Sequence, residues 1–588
     1  MENFYREEVA RQKVNRKNLL RRMFFAALGR LGSFLLFSIS VYYWITLGGI
    51  YSIAGSVLFL ILFIYLVRLS ANLNLQKKFT ENLIKIYANE LNMIEAKEGI
   101  FNNGAEYENL TPFSSDIDLF GSFSLFHLLN RTTSFHSKEF LARNLAFPLM
   151  DKNEIEQRQK AVAALSPQVV TCNEITATGM LNEEPATMKA FETWLSLPVK
   201  TVGNKFVLVI LWLFPLASIA SVLYYLSEGN YLFLLLAIVT GWIILSFYIK
   251  FINQQHGLLT YRLEGLKQYA GILKKFTAID SKDSVVLKDL LKETALAEKA
   301  VKELSSLASM ADQRNNLLVN LFLNSLLLYD LRMLHSLEKW KILHAEKFSR
   351  WQELICKIEY LISLAAYARN HPHYSFPVIQ EGSLVLSAQE LGHPMISENE
   401  MIKNDVEFSD ERIWIVTGSN MAGKTTFLRT LGVNIILAQN GAPVCAAKMQ
   451  LTPVHLLSSI RIQDSLHEQT SYFMAELKKL QLIIQELQSG KPALVMVDEI
   501  LRGTNSDDKT HGSAQFIKKI LNYNCLGLIA THDLALCKME EEHPGEITNY
   551  CFESFINKDE LIFDYKLRKG IATNKNASFL MEKMGVIN

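Results

Sequence analysis

Thirty-seven consecutive residues, Leu31–Val67, carry no charged side chain, and such a run has few homes in an aqueous fold. As one helix it would be about 55 Å long, well beyond a hydrocarbon layer of about 30 Å. The pair Gly48-Gly49 near its centre predicts a tight turn between two short spans. A second pair is cleaner: Phe206–Leu226 and Tyr231–Ile249 are uncharged runs of 21 and 19 residues, joined by Ser227-Glu228-Gly229-Asn230. Tyr42, Tyr43 and Trp44, Tyr224 and Tyr225, and Trp242 and Tyr248 gather near run ends, as interfacial aromatic belts do. Two transmembrane helical hairpins are expected, at 31–67 and 206–249, with the lipid bilayer as a partner.

The flanking charges set an orientation. Arg6, Arg11, Lys13, Arg16, Lys17, Arg21, Arg22 and Arg30 precede the first hairpin, and Arg68, Lys77 and Lys78 follow it. Lys200 and Lys205 precede the second and Lys250 follows it, while neither connecting turn holds Lys or Arg. The positive-inside rule then predicts a multi-pass protein of the cell (inner) membrane, with both termini and all large segments cytoplasmic. No small-residue cleavage site follows the first run, so it reads as a retained anchor. The basic leader, 1–30, is a topology signal and a contact for anionic lipid. Over the whole chain charge nearly cancels, 60 Lys+Arg against 59 Asp+Glu, which gives no bulk electrostatic argument for nucleic acid. Six cysteines without a C-x-x-C pair fit reduced, mostly buried thiols.

Between and after the hairpins the chain changes character. Residues 69–203 form a soluble segment. Residues 255–370 are rich in Leu, Ala, Lys and Glu at helical spacing, without Pro over Leu259–Lys347, which predicts a long helical lever region. His371-Pro372 and Phe376-Pro377 punctuate its end, and 376–588 reads as an α/β domain. There, Ile413–Val416, Leu494–Val497 and Leu526–Ala530 are continuous apolar strands separated by helical runs, as in a doubly wound, mainly parallel sheet.

Each of these strands ends in chemistry. Gly418-Ser419-Asn420-Met421-Ala422-Gly423-Lys424-Thr425 matches G-x-x-x-x-G-K-[ST] between a strand and a helix. Its glycines let the backbone wrap phosphates, and N–H groups at the helix start supply an anion site. Lys424 adds a cation at the β- and γ-phosphates; Thr425 is placed to ligate Mg²⁺, and Thr426 follows it within the nucleotide-binding turn. The second strand delivers Asp498, expected to hold Mg²⁺ through water, and Glu499, expected to polarise the attacking water. Adjacent side chains on a strand alternate faces, so these two carboxylates can share one site only where the backbone turns. The third strand delivers His532, a candidate γ-phosphate sensor. Together these features predict a P-loop ATPase using ATP and Mg²⁺.

The order, spacing and identity of these motifs resemble the ATPase domain of the MutS DNA mismatch-repair family. The resemblance rests on Thr417–Arg429, Asp464-Ser465-Leu466 before Ser471–Leu477, Leu494–Asn505, Ala530-Thr531-His532, and Tyr565-Lys566-Leu567 with Gly570 before Asn576–Phe579. Upstream, Leu125–Thr132, Pro148–Asp151 and Arg158–Val162 resemble the start of the family's helical core; Gly392-His393-Pro394 and Lys403-Asn404-Asp405 resemble the approach to its ATPase. The resemblance implies a homodimer with two composite sites, in which Ser471 reaches the partner's nucleotide as a catalytic residue. It also implies that Met401 and Ile402 pack against adenine with Tyr565 on the other side, and that the levers carry the ATP state to a distal DNA site.

Departures matter equally. A basic leader and a hairpin stand where the family has its mismatch-reading N-terminal domain and connector, and a second hairpin interrupts the helical core. The family's F-x-E wedge has its one match at Phe79-Thr80-Glu81, just past an apolar span, and is read as coincidence. The family's C-terminal dimerising helices and the nuclease-like domain of one branch are expected to be missing. Three readings therefore stand open: a membrane-tethered DNA-binding repair factor, a membrane mechanochemical ATPase that does not read mismatches, and an ATP-gated scaffold.

Overall fold

Helix α1 (Glu2–Leu47) starts in the basic leader and continues without a break through the first apolar run. Its partner α2 (Ile50–Ile94) returns alongside it. The reversal falls at Gly48 and Gly49, whose φ of +66° and +105° are conformations that a Cβ disfavours. Each helix is about 70 Å long against a hydrocarbon layer of about 30 Å, so more than half of each would extend past such a layer. Arg16 and Glu81 pair across that extension at 2.8 Å. The computed structural model describes residues 1–95, 99–181, 187–260, 263–312, 314, 317–408, 411–419, 421–461, 472–501, 505–557 and 560–572.

Short helices follow: α3 (Leu125–Leu129), α4 (Phe135–Ala146), α5 (Lys152–Leu165), α6 (Val169–Gly179) and α7 (Thr187–Ser196). Ser124, Ser134 and Asp151 cap α3, α4 and α5 by accepting from the N–H three residues on, which is why each helix begins where it does. The second apolar pair forms α8 (Lys205–Glu228) and α9 (Leu232–Thr260), turned by Gly229 at φ +71°. Helices α10 (Leu263–Phe276), α11 (Val285–Asp312), α12 (Leu317–Leu327) and α13 (Tyr329–Asn370) complete the helical part. Among the described residues four helices, α1, α2, α8 and α9, are long and apolar enough, by length and composition, to cross a membrane.

The α/β part begins with β1 (Val378–Ile379), β2 (Leu386–Leu391), β3 (Asn404–Phe408), β4 (Ile413–Gly418), α14 (Lys424–Gln439), β5 (Lys448–Leu451) and β6 (His455–Ser459). It continues through α15 (Tyr472–Leu487), β7 (Ala493–Asp498), α16 (Ser506–Ile520), β8 (Cys525–Thr531), α17 (Met539–Glu542), β9 (Ile547–Asn557) and β10 (Glu560–Lys569). A small sheet has the order β1-β5-β2-β3 and the large one β10-β9-β4-β8-β7-β6. In the large sheet β9, β4, β8, β7 and β6 are parallel and only β10 is antiparallel.

Alternation along its strands sends side chains to two cores. Trp414 and Val416 join α14 and the lever helices; Ile413 and Ile415 join Ile483 and Leu487 of α15 and Ile517 and Ile520 of α16. The sheet is covered on both faces, as continuous apolar strands require. All six cysteines are buried and unbridged. Burial pushes the thiols of Cys172, Cys445, Cys525 and Cys537 up to about 11.

Candidate active site

The turn after β4 is shaped by what surrounds its glycines. A Cβ on Gly418 (φ +150°) would lie 2.8 Å from the Phe552 carbonyl oxygen on β9. One on Gly423 (φ +103°) would lie 2.9 Å from the Tyr565 ring. Gly423 directly precedes α14, whose first N–H groups have no intrahelical partner and so present an anion site. Lys424 is buried, with Nζ donating to the Gly418 and Ser419 carbonyls at 2.6 and 3.0 Å. The same nitrogen lies 3.3 Å from His532 Nε2.

Strands β7 and β8 bring the other groups. Thr425 Oγ1 donates to Asp498 Oδ2 at 2.5 Å, so two hard oxygen donors from α14 and β7 sit together. Glu499 takes φ +57°, and its N–H donates to Ala530 of β8 at 2.9 Å. That left-handed residue is the backbone turn that lets consecutive carboxylates serve one site. Glu499 Oε1 lies 3.0 Å from His532 Nε2, so Lys424, His532 and Glu499 form a chain across three strand ends.

A cavity of about 610 Å³ opens over these groups, in the range of nucleotide-sized sites. Ser419, Met421, Ala422, Gly423, Lys424, Thr425, Thr426, Asp498, Glu499 and His532 line it, with Ile402 and Tyr565 on its outer wall. Met401 does not join them. It is buried, with Sδ 3.5 Å from Cys445 Sγ, and its neighbour Ile402 alone turns to the cavity. Asn420, Ser471, the 464–466 and 502–504 stretches and Asn576–Phe579 lie outside the described residues.

Several contributors were not among the site residues that the sequence singled out, although Glu476, Asn404 and His393 lie within stretches that carry the resemblance. Glu476 on α15 is buried and accepts from the Leu501 N–H at 2.5 Å, fixing the loop behind Glu499, where Leu501 itself has φ +59°. Its place in Ser471–Leu477 was the only available signal. Asn404 accepts from the Leu567 N–H at 2.8 Å and donates to the Tyr565 carbonyl at 3.0 Å, which sets the Tyr565 ring. Asp116, fully buried, accepts from Ser458 at 2.6 Å, Arg461 N–H at 2.8 Å and Lys479 at 3.0 Å. It joins the helical part to β6 and α15. His393 is buried beside the cavity, and burial holds its imidazole down at about 4, with Asp118 opposing and Arg429 assisting.

The Phe79–Glu81 triplet is spent on helix packing. Phe79 lies 4.8 Å under Lys275, and Glu81 pairs with Arg16. Among the described residues no three His, Cys, Asp or Glu side chains form a metal cluster. A Mg²⁺ ion would therefore depend on Thr425, Asp498, water and the nucleotide itself, a set that suits this cation.

Comparison with known proteins matches two stretches of the chain. The family model for MutS domain V matches residues 414–584, and that for MutS domain III matches residues 103–182. "DNA mismatch repair protein MutS" of Thermotoga petrophila is 31% identical over 237 residues, covering 39% of this chain and 29% of that protein. The protein of the same name from Protochlamydia amoebophila is 34% identical over 228 residues, 37% of this chain and 26% of its own length. "DNA mismatch repair protein MSH3" of Meyerozyma guilliermondii is 27% identical over 249 residues, 39% and 25% of the two chains. The chain thus spans under a third of the curated relatives it matches. Helices α1, α2 and α7 to α13 fall outside both matched stretches.

Proposed function

The chain belongs to the MutS family by its domains III and V, and from that premise we propose a membrane-held ATPase that hydrolyses ATP with Mg²⁺ and works its levers against apolar hairpins. One observation carries the reading. Lys424, Thr425, Asp498, Glu499 and His532 converge at the C-terminal ends of three neighbouring parallel strands, where ligands of such sheets bind.

The residues divide the work. The N–H groups opening α14 and Lys424 hold the β- and γ-phosphates. Thr425 and Asp498 would hold Mg²⁺, which supplies charge neutralisation on the transferring phosphoryl group. Glu499 orients the attacking water and accepts its proton, with His532 at 3.0 Å positioning that carboxylate and facing the γ-phosphate. Ile402 and Tyr565 clasp the base. Ser471 completes the partner's site in a homodimer, as the family resemblance implies.

Lys424→Ala should abolish phosphate release by vesicle-borne protein, and undiminished release would overturn the assignment. Ser471→Ala protein mixed with Lys424→Ala protein should regain turnover that neither shows alone, because one of the two sites then carries no lesion. No recovery after verified subunit exchange would reject a composite site.

A second reading, DNA binding by the helical core, is favoured by the domain III match and by relatives named as mismatch-repair proteins. Gel-shift titration with homoduplex, mismatched and branched DNA tests it. Binding should weaken steeply as salt rises, and no shift at low salt would leave the mechanochemical reading.

A further inference from the structure

Helix α12 is eleven residues long and holds no charged side chain, about 16 Å of helix and so too short to cross a bilayer. It nevertheless packs on both α8 and α9. The contact is intimate: a Cβ on Gly241 of α9 would lie 2.9 Å from Phe214 Cζ of α8 and 3.0 Å from the Ser325 carbonyl oxygen of α12. Trp242 Nε1 donates to Ser325 Oγ at 2.9 Å, so this indole, expected in an interfacial belt, instead lies within the hairpin's length and bonds to α12.

Depth follows by counting from both sides. Phe214 lies nine residues from the start of α8, and Gly241 nine residues from the start of α9 at the opposite end of the hairpin. Each count gives about 13 Å at 1.5 Å per residue, so Ser325 meets the hairpin at its middle.

The chain then turns back. Leu328 adopts φ +49°, fully buried, and Asn324 Oδ1 accepts from the Asp330 N–H at 2.8 Å. Arg314 and Asp330 pair at 2.6 Å beside the turn. Leu331 and Leu334 of α13 pack with Val207, Leu211 and Leu245. Arg332 donates to the Leu211 carbonyl in α8, the group that Pro215, four residues on, has no N–H to satisfy. Irregular backbone at membrane depth is tolerated where protein buries it, and this turn is buried. Outward, Leu321 and Phe322 are 49% and 63% exposed, adjoining the apolar surface of the hairpin.

We propose that α12 and the first turns of α13 form a re-entrant element that enters the bilayer from the side of Lys205 and Lys250 to mid-depth, with Leu321 and Phe322 against lipid acyl chains. This rests on reading α8 and α9 as membrane spans. The lever helix α13 therefore begins inside the membrane.

The test uses full-length protein in phosphatidylethanolamine–phosphatidylglycerol vesicles, with Phe322→Cys, Leu321→Cys, Leu236→Cys on α9 and Leu296→Cys on α11 introduced one at a time beside the six native cysteines. The native thiols are buried. Cys at 322, 321 and 236 should resist a bulky aqueous maleimide and carry a fluorophore that chain-labelled doxyl lipid quenches. Cys at 296, 73% exposed on α11, should react fully and stay unquenched. Labelled, unquenched 321 and 322 beside a protected 236 would overturn the inference and leave the spans standing. A labelled, unquenched 236 would instead overturn the membrane reading. Gly241→Leu, which cannot seat Ser325, should raise labelling at 322 at least tenfold while 236 stays protected; unchanged labelling would count against the packing.

Discussion

At the residue scale the site depends on backbone torsions as much as on side chains. The left-handed conformation of Glu499 (φ +57°) keeps its carboxylate on the same side of the sheet as that of Asp498. Glu499→Gln preserves shape and removes the proton acceptor, so turnover should fall about 10²–10⁴-fold while a fluorescent nucleotide still binds. Equal turnover would reject the role.

Glu476 acts one step back, through the Leu501 N–H. Glu476→Ala should lower kcat with little change in KM, and Glu476→Gln, which keeps the acceptor, should restore most of it.

His393 supplies a pH test. Its imidazole stays neutral down to about 4 in the fold, against an ordinary 6.5. Between those values the unfolded chain binds the extra proton, so stability falls as pH drops from 6.5 towards 4 and is fully present above 6.5. The shift corresponds to about 3 kcal/mol at most. Nδ1 accepts from the Met395 N–H at 3.3 Å, and His393→Asn keeps an acceptor there that cannot titrate. Thermal melts of that variant between pH 4 and 7 should show a shallower slope than the parent.

At the scale of elements, the notable contacts are those that fasten the two hairpins. The C-terminal end of α2 is held by Glu90, which takes Arg131 at 2.5 Å and Asn370 of α13 at 2.6 Å. Tyr5 of α1 donates to Asn370 at 2.7 Å and accepts from Arg369 at 2.8 Å. Burial opposes ionisation of Glu90, yet Arg131 and then Arg369 outweigh it and hold the carboxyl below its usual range. Glu90→Ala would leave two buried guanidinium groups without their anion, a loss of about 3–5 kcal/mol, read as a lowered melting temperature and early proteolysis at α2.

The second hairpin is fastened by Glu338 of α13, which accepts from the N–H groups of Lys200, Thr201 and Val202 at 2.8, 2.7 and 3.2 Å. That loop leads straight into α8.

For the whole molecule, α13 is the common strut. Its 42 residues make about 63 Å of helix, with the second hairpin at one end and the Glu90 cluster at the other. From Val67 to Glu90 is about 35 Å of helix and from Glu338 to Arg369 about 46 Å, so each apolar hairpin lies several helical turns from the Glu90 cluster. Near its far end Tyr360 donates to Asn440 at 2.6 Å, at the C-terminus of the helix that the phosphate turn opens, and accepts from Arg158 at 2.6 Å. Tyr360→Phe should leave ATP affinity within about twofold while reducing any ATP-dependent change in amide exchange along the first half of α13. An unchanged exchange response would remove this contact from the path. Such coupling needs two arrangements of the strut that nucleotide biases.

What could be read from the chain alone was whatever short stretches encode by themselves. The Gly48-Gly49 reversal, the uncharged runs and the phosphate turn are local statements about torsion, solvent and hydrogen bonding. So are the apolar strands ending in Asp498 and His532, because a strand's end is fixed by its own pattern. Other matters were decided by contacts between distant residues. Met401 and Ile402 are adjacent and both apolar, and only the packing of Gly392 and Cys445 selects which one faces the cavity. Asp116 meets Ser458 across 342 residues, and Glu476 meets Leu501 from another element. The leucine-rich pattern of α12 is the same whether it lies on a soluble lever or beside Gly241. Hydrophobic burial is non-directional, so sequence states that such a face must be covered, and the tertiary structure alone chooses what covers it.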